Sequence, residues 1–380
     1  MNALSGPAQL ADGCELRCRG CAHREQSLSQ SLERKIGWLH RRLEPWSERL
    51  QPVRSVIEER RWAYRDRVRL GAEWSGDWRF GTRARDELVP IPRCPVHSPR
   101  VNRTLSCLAR HLPPGFPLAF YVQAGAQATL VAKTRQLPPL DWLSESGQAE
   151  LAAAGLEGLW LHLHPAAGKR MFARSGWRLL WGQPRSRDAG GLLHGPQSFQ
   201  QAMPELYQAS LDEAERFLMP SPADRVVDLC CGIGASLVRW LRSGAEVAGV
   251  ELNGEAVECA RENAPGAMVL RGKCAHRLPQ LEAWVGAPNR LLYVNPPRTG
   301  LEPQVLEWIG ASYRPRRMAY LSCSAGTLRR DLERLCGFGC TVEALLPFDF
   351  FPQTRHVEVL SLLLLAESRS LSSRTGPSHP

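Results

Sequence analysis

From Phe199 onward the sequence alternates short apolar runs with amphipathic segments, and this rhythm restricts the fold more than any other feature. RVVDLC reads as a strand, and ASLVRWLRSG as a helix with Leu237, Trp240 and Leu241 on one face and Gly244 as its stop signal. EVAGVEL, AMVLRG, RLLYVNPP and RMAYLSCS repeat the apolar pattern, with helical segments such as EAVECAREN between strands. VEALLPFDF and HVEVLSLLLL then follow with no helix between them. Parallel neighbours need a long crossover and antiparallel ones a short turn. Residues 186–366 are therefore expected to form an α/β, doubly wound, Rossmann-like sheet with an antiparallel edge hairpin.

The preceding chain has other rhythms. Residues 1–60 hold a cysteine cluster and a helix whose Leu28, Leu32, Ile36, Leu39 and Leu43 recur at helical spacing until Pro45. Over 61–185, WAYRDRVRLGAEW-SGD-WRFGT, AFYVQAGAQATLVAK and LWLHLHPAAGKRMFARSGWRLLW read as hairpins, giving a mainly antiparallel β middle domain. Residues 182–196 read as a linker, and the Ser/Arg/Pro-rich tail 367–380 as disordered. Neither a signal peptide nor a run near the ~20 apolar residues of a membrane helix is present, so a soluble, cytoplasmic monomer with no membrane partner is expected. The formal charge of +10 is carried almost wholly by arginine, which permits a nucleic-acid partner without requiring one, since codon bias gives the same result.

Ligands of such a sheet bind beyond the carboxyl ends of its parallel strands. The first strand ends in DLCCGIG, where Gly232 and Gly234 let a ligand approach the backbone. The second ends in Glu251, seventeen residues past Gly234, near the offset at which an acid accepts from ribose hydroxyls. With no third glycine and no phosphate-binding lysine, S-adenosylmethionine suits the turn better than NAD or ATP. Asn295-Pro296-Pro297-Arg298 ends the fourth strand and Cys323 the fifth. The final strand runs the other way, so its start, with His356 and Glu358, lies at the same edge. Singly, Cys323 reads as a small hydrophobe and Glu358 as half of an ion pair. Together they read as a catalytic nucleophile and base.

SFQQAMPEL, DLCCGIG, NPPRTGL, YLSCSAGTLRRDL and FPQTRHVE, the last the most specific, follow one another in the order found in the RNA uracil-C5 methyltransferase family and resemble it, a family whose catalytic domain is a class I S-adenosylmethionine-dependent sheet. The resemblance implies that Cys323 adds to uracil C6 and that Glu358 removes the C5 proton. A free thiol is mostly protonated at neutral pH, so a nearby positive charge should help, and Arg298 is the candidate. The resemblance also implies cofactor contacts from Gln201, Cys230, Ala235, Glu251 and Asn295. Cys230, Ala235 and Asn295 depart from the family's usual aromatic, Asn and Asp, and SCSAGT replaces the commoner S-C-N-P-x-T.

Cys14-x3-Cys18-x2-Cys21 with the distant Cys94 supplies four thiolates in a polar setting. Spacing and family resemblance together favour a [4Fe–4S] cluster, with structural zinc, His23 replacing Cys94, as the alternative. Its expected role is to clamp the N-terminal helix to the middle domain. Gly20 before the third cysteine, and no repeating barrel pattern after it, argue against a radical enzyme. The layout resembles bacterial 23S ribosomal-RNA members that lack an N-terminal oligonucleotide-binding barrel, with transfer RNA as the other substrate. AYRDRVRLG resembles a family segment, with Asp66 replacing Asn, and places Arg65, Arg67 and Arg69 on one strand face, either for phosphates, making the middle domain 61–185 a candidate RNA-binding unit, or for solvent. Two competing functions are an exocyclic-amine methyltransferase using Asn-Pro-Pro and a non-catalytic RNA-binding assembly factor.

Overall fold

The computed structural model describes residues 10–85, 87–168, 170–286 and 289–365. The expected disorder of 367–380 lies outside them. Helix α1, Leu28–Arg42, starts at a capping box: the Ser27 side chain accepts from the Gln30 N–H, and the Gln30 side chain accepts from the Ser27 N–H.

The middle of the chain forms β1 (Arg67–Trp74), β2 (Trp78–Ala84), β3 (Glu87–Pro90), α2 (Pro99–His111), β4 (Leu118–Ala124), β5 (Gln127–Ala132), α3 (Glu145–Ala153), β6 (Gly158–Leu163) and β7 (Trp177–Gly182). Its seven strands are ordered β3-β2-β1-β4-β5-β6-β7. The three expected hairpins form, but β5 and β6 pair in parallel, with α3 in their crossover. Among its residues α3 buries only Gly147 and Leu151, so it leaves almost no apolar period to read. The expected linker is also structured. Ser186–Arg187 (β8) and Leu193–His194 (β9) pair, and the Leu193 backbone exchanges hydrogen bonds with the Asn263 side chain at 2.8 and 2.9 Å.

The C-terminal half runs α4 (Pro204–Leu218), β10 (Arg225–Leu229), α5 (Ala235–Arg242), β11 (Glu246–Glu251), α6 (Gly254–Asn263), β12 (Met268–Arg271), α7 (Cys274–Val285), β13 (Arg290–Val294), α8 (Pro303–Glu307), β14 (Arg317–Ser322), α9 (Ala325–Gly337), β15 (Cys340–Phe348) and β16 (Glu358–Leu365). The order is β12-β11-β10-β13-β14-β16-β15, with β16 antiparallel to both neighbours. Val227, Leu229, Leu292 and Val294 enter one core, and Val226, Leu291 and Tyr293 the other. Burial of both faces explains why these strands read as continuous apolar runs. The order reverses between β10 and β13, which opens a crevice at their carboxyl ends.

Helix α1 packs on the C-terminal sheet, whose core takes its Leu39 and, just past its end, Leu43. Its buried face also continues through Ser31 and Lys35, while Leu32 and Ile36 are half-buried. The reason is what it packs on: the polar segment 349–356 leading into β16.

Candidate active site

Ser322 pairs with Val359 at the last register of β14 with β16. One residue further on, Cys323 leaves its strand opposite Glu358 entering the other. Adjacent strands running in opposite directions thus bring together two groups far apart in sequence. Glu358 is buried, and burial first pushes its carboxyl up to about 7, against the opposing pull of a hydrogen bond from Gln201 and the charge of Arg298. Gln201 Nε2 donates to Glu358 Oε2 at 3.2 Å. Gln201, expected at the cofactor, therefore contacts the candidate base.

Cys323 is half-buried. Burial pushes its thiol up, and Glu358 adds to this; Arg298, by charge and by a hydrogen bond, pulls it down. The expected help from Arg298 is present but does not prevail in the free protein. A neutral Glu358 relieves one of the two opposing effects, so the protonation states of the pair are linked.

The segment before β16 is held from the N-terminal side. Lys35 Nζ donates to Asp349 Oδ1 at 2.5 Å and to the Phe351 carbonyl at 3.2 Å, and both charged side chains of this ion pair are fully buried. Ser55 Oγ donates to the other Asp349 oxygen at 3.1 Å. The His23 N–H donates to the Gln353 carbonyl at 3.0 Å, and buried Arg61 faces the Gln353 side chain at 3.5 Å. These contacts fix the approach of residues 355–358 to Cys323.

The crevice beyond β10 has a strained floor. Cys230 has φ +63°, Gly232 +57° and Gly234 +88°, and a left-handed backbone is costly for a cysteine. A Cβ on Gly232 would meet nothing within 4 Å, whereas one on Gly234 would press on Ala260 at 3.2 Å. Gly232 therefore leaves room for a ligand, and Gly234 permits close packing at the start of α5. Glu251 Oε2 accepts from the Gly232 N–H at 3.1 Å and Oε1 from the Asn253 N–H at 2.7 Å. Each oxygen keeps a lone pair for a hydroxyl. Ala235 begins α5, and the Asn295 N–H donates to the Leu229 carbonyl at 3.1 Å, so both border the crevice. This donor set and open glycine fit a nucleoside ligand.

Cys323 also lines a cleft of about 790 Å³ whose other walls are residues 324–326, 355–357 and one side of α1. The sequence reading missed α1 here, because its leucine spacing reports only what is buried.

The match to known proteins spans the same elements. Residues 287–366, which carry NPPRTG, SCSAGT and FPQTRHVE, match the family model for tRNA (uracil-5-)-methyltransferase. An uncharacterised RNA methyltransferase of Thermosynechococcus vestitus is 30% identical over 335 residues, covering 79% of this chain and 71% of its own. One from Nostoc sp. is 29% identical, and the match covers 74% of this chain and 65% of the relative. The 23S rRNA (uracil(1939)-C(5))-methyltransferase RlmD of Shewanella baltica is 27% identical, covering 92% and 80%. The chain belongs to the RNA uracil-C5 methyltransferase family. Its class I methyltransferase fold is shared with the Pyrococcus abyssi tRNA (uracil-54, C5)-methyltransferase, solved with S-adenosyl-L-homocysteine, at a TM-score of 0.68 and 21% identity over 91% of this chain and 86% of that one.

In this family member the four N-terminal thiols form one neighbourhood. Burial first, then the charges of Cys94, Cys18 and Cys14, push Cys21 up to about 11, while Arg65 pulls it down. Cys18 Sγ accepts from the Gly20 N–H at 3.4 Å, and Cys18 and Cys94 both pack against the core of the middle sheet. Arg65 also lies 5.8 Å over the Phe351 ring, which joins this neighbourhood to the segment before β16. Cys107, His111 and Glu150, on α2 and α3, are a second set of ligand-type groups, which the sequence reading did not single out. There Glu150 accepts from Arg110 at 2.5 Å, and His111 Nε2 lies 3.2 Å from its other oxygen. Among the described residues, no helix is long and apolar enough to cross a membrane.

Proposed function

We propose that this chain methylates uridine at C5 in RNA, with 23S ribosomal RNA as the substrate class. The observation that carries the reading is the meeting of Cys323 and Glu358 at the carboxyl edge of the sheet, with the carboxyl raised to about 7. The likeness to RlmD over 92% of the chain supports ribosomal over transfer RNA. Glu251 with Gly232 and Gly234 would hold the nucleoside part of S-adenosylmethionine, alongside Cys230, Ala235 and Asn295. When bound, that cofactor supplies an electrophilic methyl group.

Uracil C5 is a weak nucleophile until C6 carries an electron-rich substituent. The Cys323 thiolate adds to C6, and its electron pair becomes the C6–S bond while the ring π electrons move toward O4. After C5 has gained its methyl group, Glu358 takes the C5 proton. The C–H electron pair then restores the ring double bond as the C6–S bond breaks, and Cys323 leaves as a thiolate. A base near neutral pKa is matched to that task. Gln201 orients the carboxylate, and Arg298 stabilises the thiolate. The base must stand outside a helix for Cys323 to reach C6.

The four thiols of Cys14, Cys18, Cys21 and Cys94 lie in one neighbourhood, and their spacing with the family resemblance supports an iron–sulfur cluster, with structural zinc as the alternative. Purified protein is expected to hold iron and acid-labile sulfide in equal amounts and little zinc.

The deciding experiment uses RNA containing 5-fluorouridine. Fluorine at C5 cannot leave as a proton does, so the protein should stay covalently attached through Cys323, and Cys323→Ala should not attach. Methylation by Cys323→Ala at the wild-type rate would end the proposal.

A further inference from the structure

We infer that α1 forms a binding track for the RNA strand flanking the target uridine, with Arg34, Arg41 and Arg42 on its phosphates and Trp38 beneath one base. This rests on the reading of the catalytic cleft as an RNA site.

The cleft holding Cys323 has a volume of about 790 Å³, and Arg34, Gly37, Trp38 and Arg41 line it. Their i, i+3, i+4, i+7 spacing makes them one continuous helix face. Arg42 extends the row by one residue. Across the cleft Arg298 and Arg355 add two more exposed cations, while Glu33 is the one carboxylate of the lining.

Several arginines elsewhere on the surface are held by carboxylates. Arg79 pairs with Asp77, Arg110 with Glu150, Arg216 with Glu213 and Arg329 with Glu333. Among the described residues, Arg34, Arg41 and Arg42 have no such carboxylate partner. Like charges gathered without counter-charges repel one another, and a polyanion laid between them relieves that repulsion. Arginine's planar fork matches phosphate oxygens better than a point charge does.

Two further residues fit a nucleotide chain rather than an isolated anion. Glycine weakens a helix interior, yet Gly37 sits mid-helix, where a Cβ would come within 3.7 Å of the Arg41 guanidinium. Its bare backbone gives the face a low point between the arginines. Trp38 is half-buried, rooted against the core and also part of the cleft wall. Nucleotides next to an extruded uridine are themselves unpaired, and an indole offers them a stacking surface without regard to sequence.

The test measures binding of a fluorescein-labelled, single-stranded, uridine-containing RNA across a salt series, with calorimetry of S-adenosylmethionine and assay of 5-methyluridine on the same proteins. The triple variant Arg34→Gln/Arg41→Gln/Arg42→Gln is expected to bind RNA about 10- to 100-fold more weakly near ~0.15 M salt, with the slope of log K against log salt reduced by about 2. Trp38→Ala should lose about tenfold with the slope unchanged, and Trp38→Phe should regain most of it. Arg216→Gln on α4, outside the cleft, should match wild type, and all variants should bind S-adenosylmethionine alike. Wild-type RNA affinity and slope in the triple variant would overturn the inference. Wild type that binds RNA through these arginines but makes no 5-methyluridine would overturn the proposed activity while supporting the α1 track. Wild type that binds no RNA would overturn both.

Discussion

The two seven-stranded sheets differ in how strand direction distributes strand ends. In the C-terminal sheet β10 to β14 run the same way, so the backbone emerges five times at one edge, and Cys230, Glu251, Asn295 and Cys323 all follow from that. The reversed β16 adds Glu358 by beginning where the others finish. The middle sheet is antiparallel except at β5–β6, and its strand ends fall at both edges. Its chemically distinctive groups are correspondingly dispersed: Arg67 and Arg69 on β1, the Cys107 group on α2 and α3. Topology gathers reactive groups in one sheet and scatters them in the other.

The largest expected effect tests that contrast directly. Cys323→Ala should lower methylation about 10⁴-fold or more with S-adenosylmethionine affinity retained, whereas Cys107→Ala in the middle region should leave turnover near wild type. Comparable losses from both, in single-turnover assays, would erase the distinction.

Glu358→Gln should cost about 10²- to 10⁴-fold in turnover. In wild type the base must be ionised, so kcat/KM should rise as pH passes about 7, and that limb should vanish in the variant. The stability effect has the opposite sense. Burial raises this carboxyl above its ordinary 4.5, so the folded state holds the proton more tightly than the unfolded chain. The associated stability is whole below pH 4.5 and lost as pH climbs through about 7. Glu358→Gln should therefore melt higher than wild type at pH 8, with the gap closing toward pH 5.

Next in size is the buried ion pair. Lys35→Met strands Asp349 without its cation and should destabilise the C-terminal half by about 3–5 kcal/mol in denaturant titration. Removing an exposed pair near the middle sheet, by Arg110→Ala, should cost about 0–1 kcal/mol. The smallest effect belongs to β1. Arg69→Gln should weaken RNA binding only severalfold and reduce the salt slope by about 0.7, with no change in S-adenosylmethionine affinity.

Legibility followed the same division. The parallel strands were plain because burial on both faces makes each an unbroken apolar run, and the site residues stood where those runs stop. The β5–β6 crossover was opaque because α3 buries little, and its short amphipathic signal is lost among polar residues. In α1 the leucine spacing was visible, but the side that matters carries Ser31 and Lys35, whose burial depends on Asp349 and Pro352 at the far end of the chain. A lysine with a hidden partner looks like any surface lysine. Gln201 was expected at the cofactor by family resemblance; its hydrogen bond to Glu358 is a fact of three dimensions that no motif carries.

The Lys35–Asp349 pair joins residues 314 positions apart. During synthesis at about 5–20 residues per second, the lysine emerges many seconds before its aspartate exists. Until then α1 has only an unfinished surface to rest on, and the segment that brings Glu358 to Cys323 has not been made. Neither half can ripen early: a nascent or prematurely terminated product would hold a reactive thiol with no base beside it, and competence would arrive in a single late event when the two ends of the polypeptide meet.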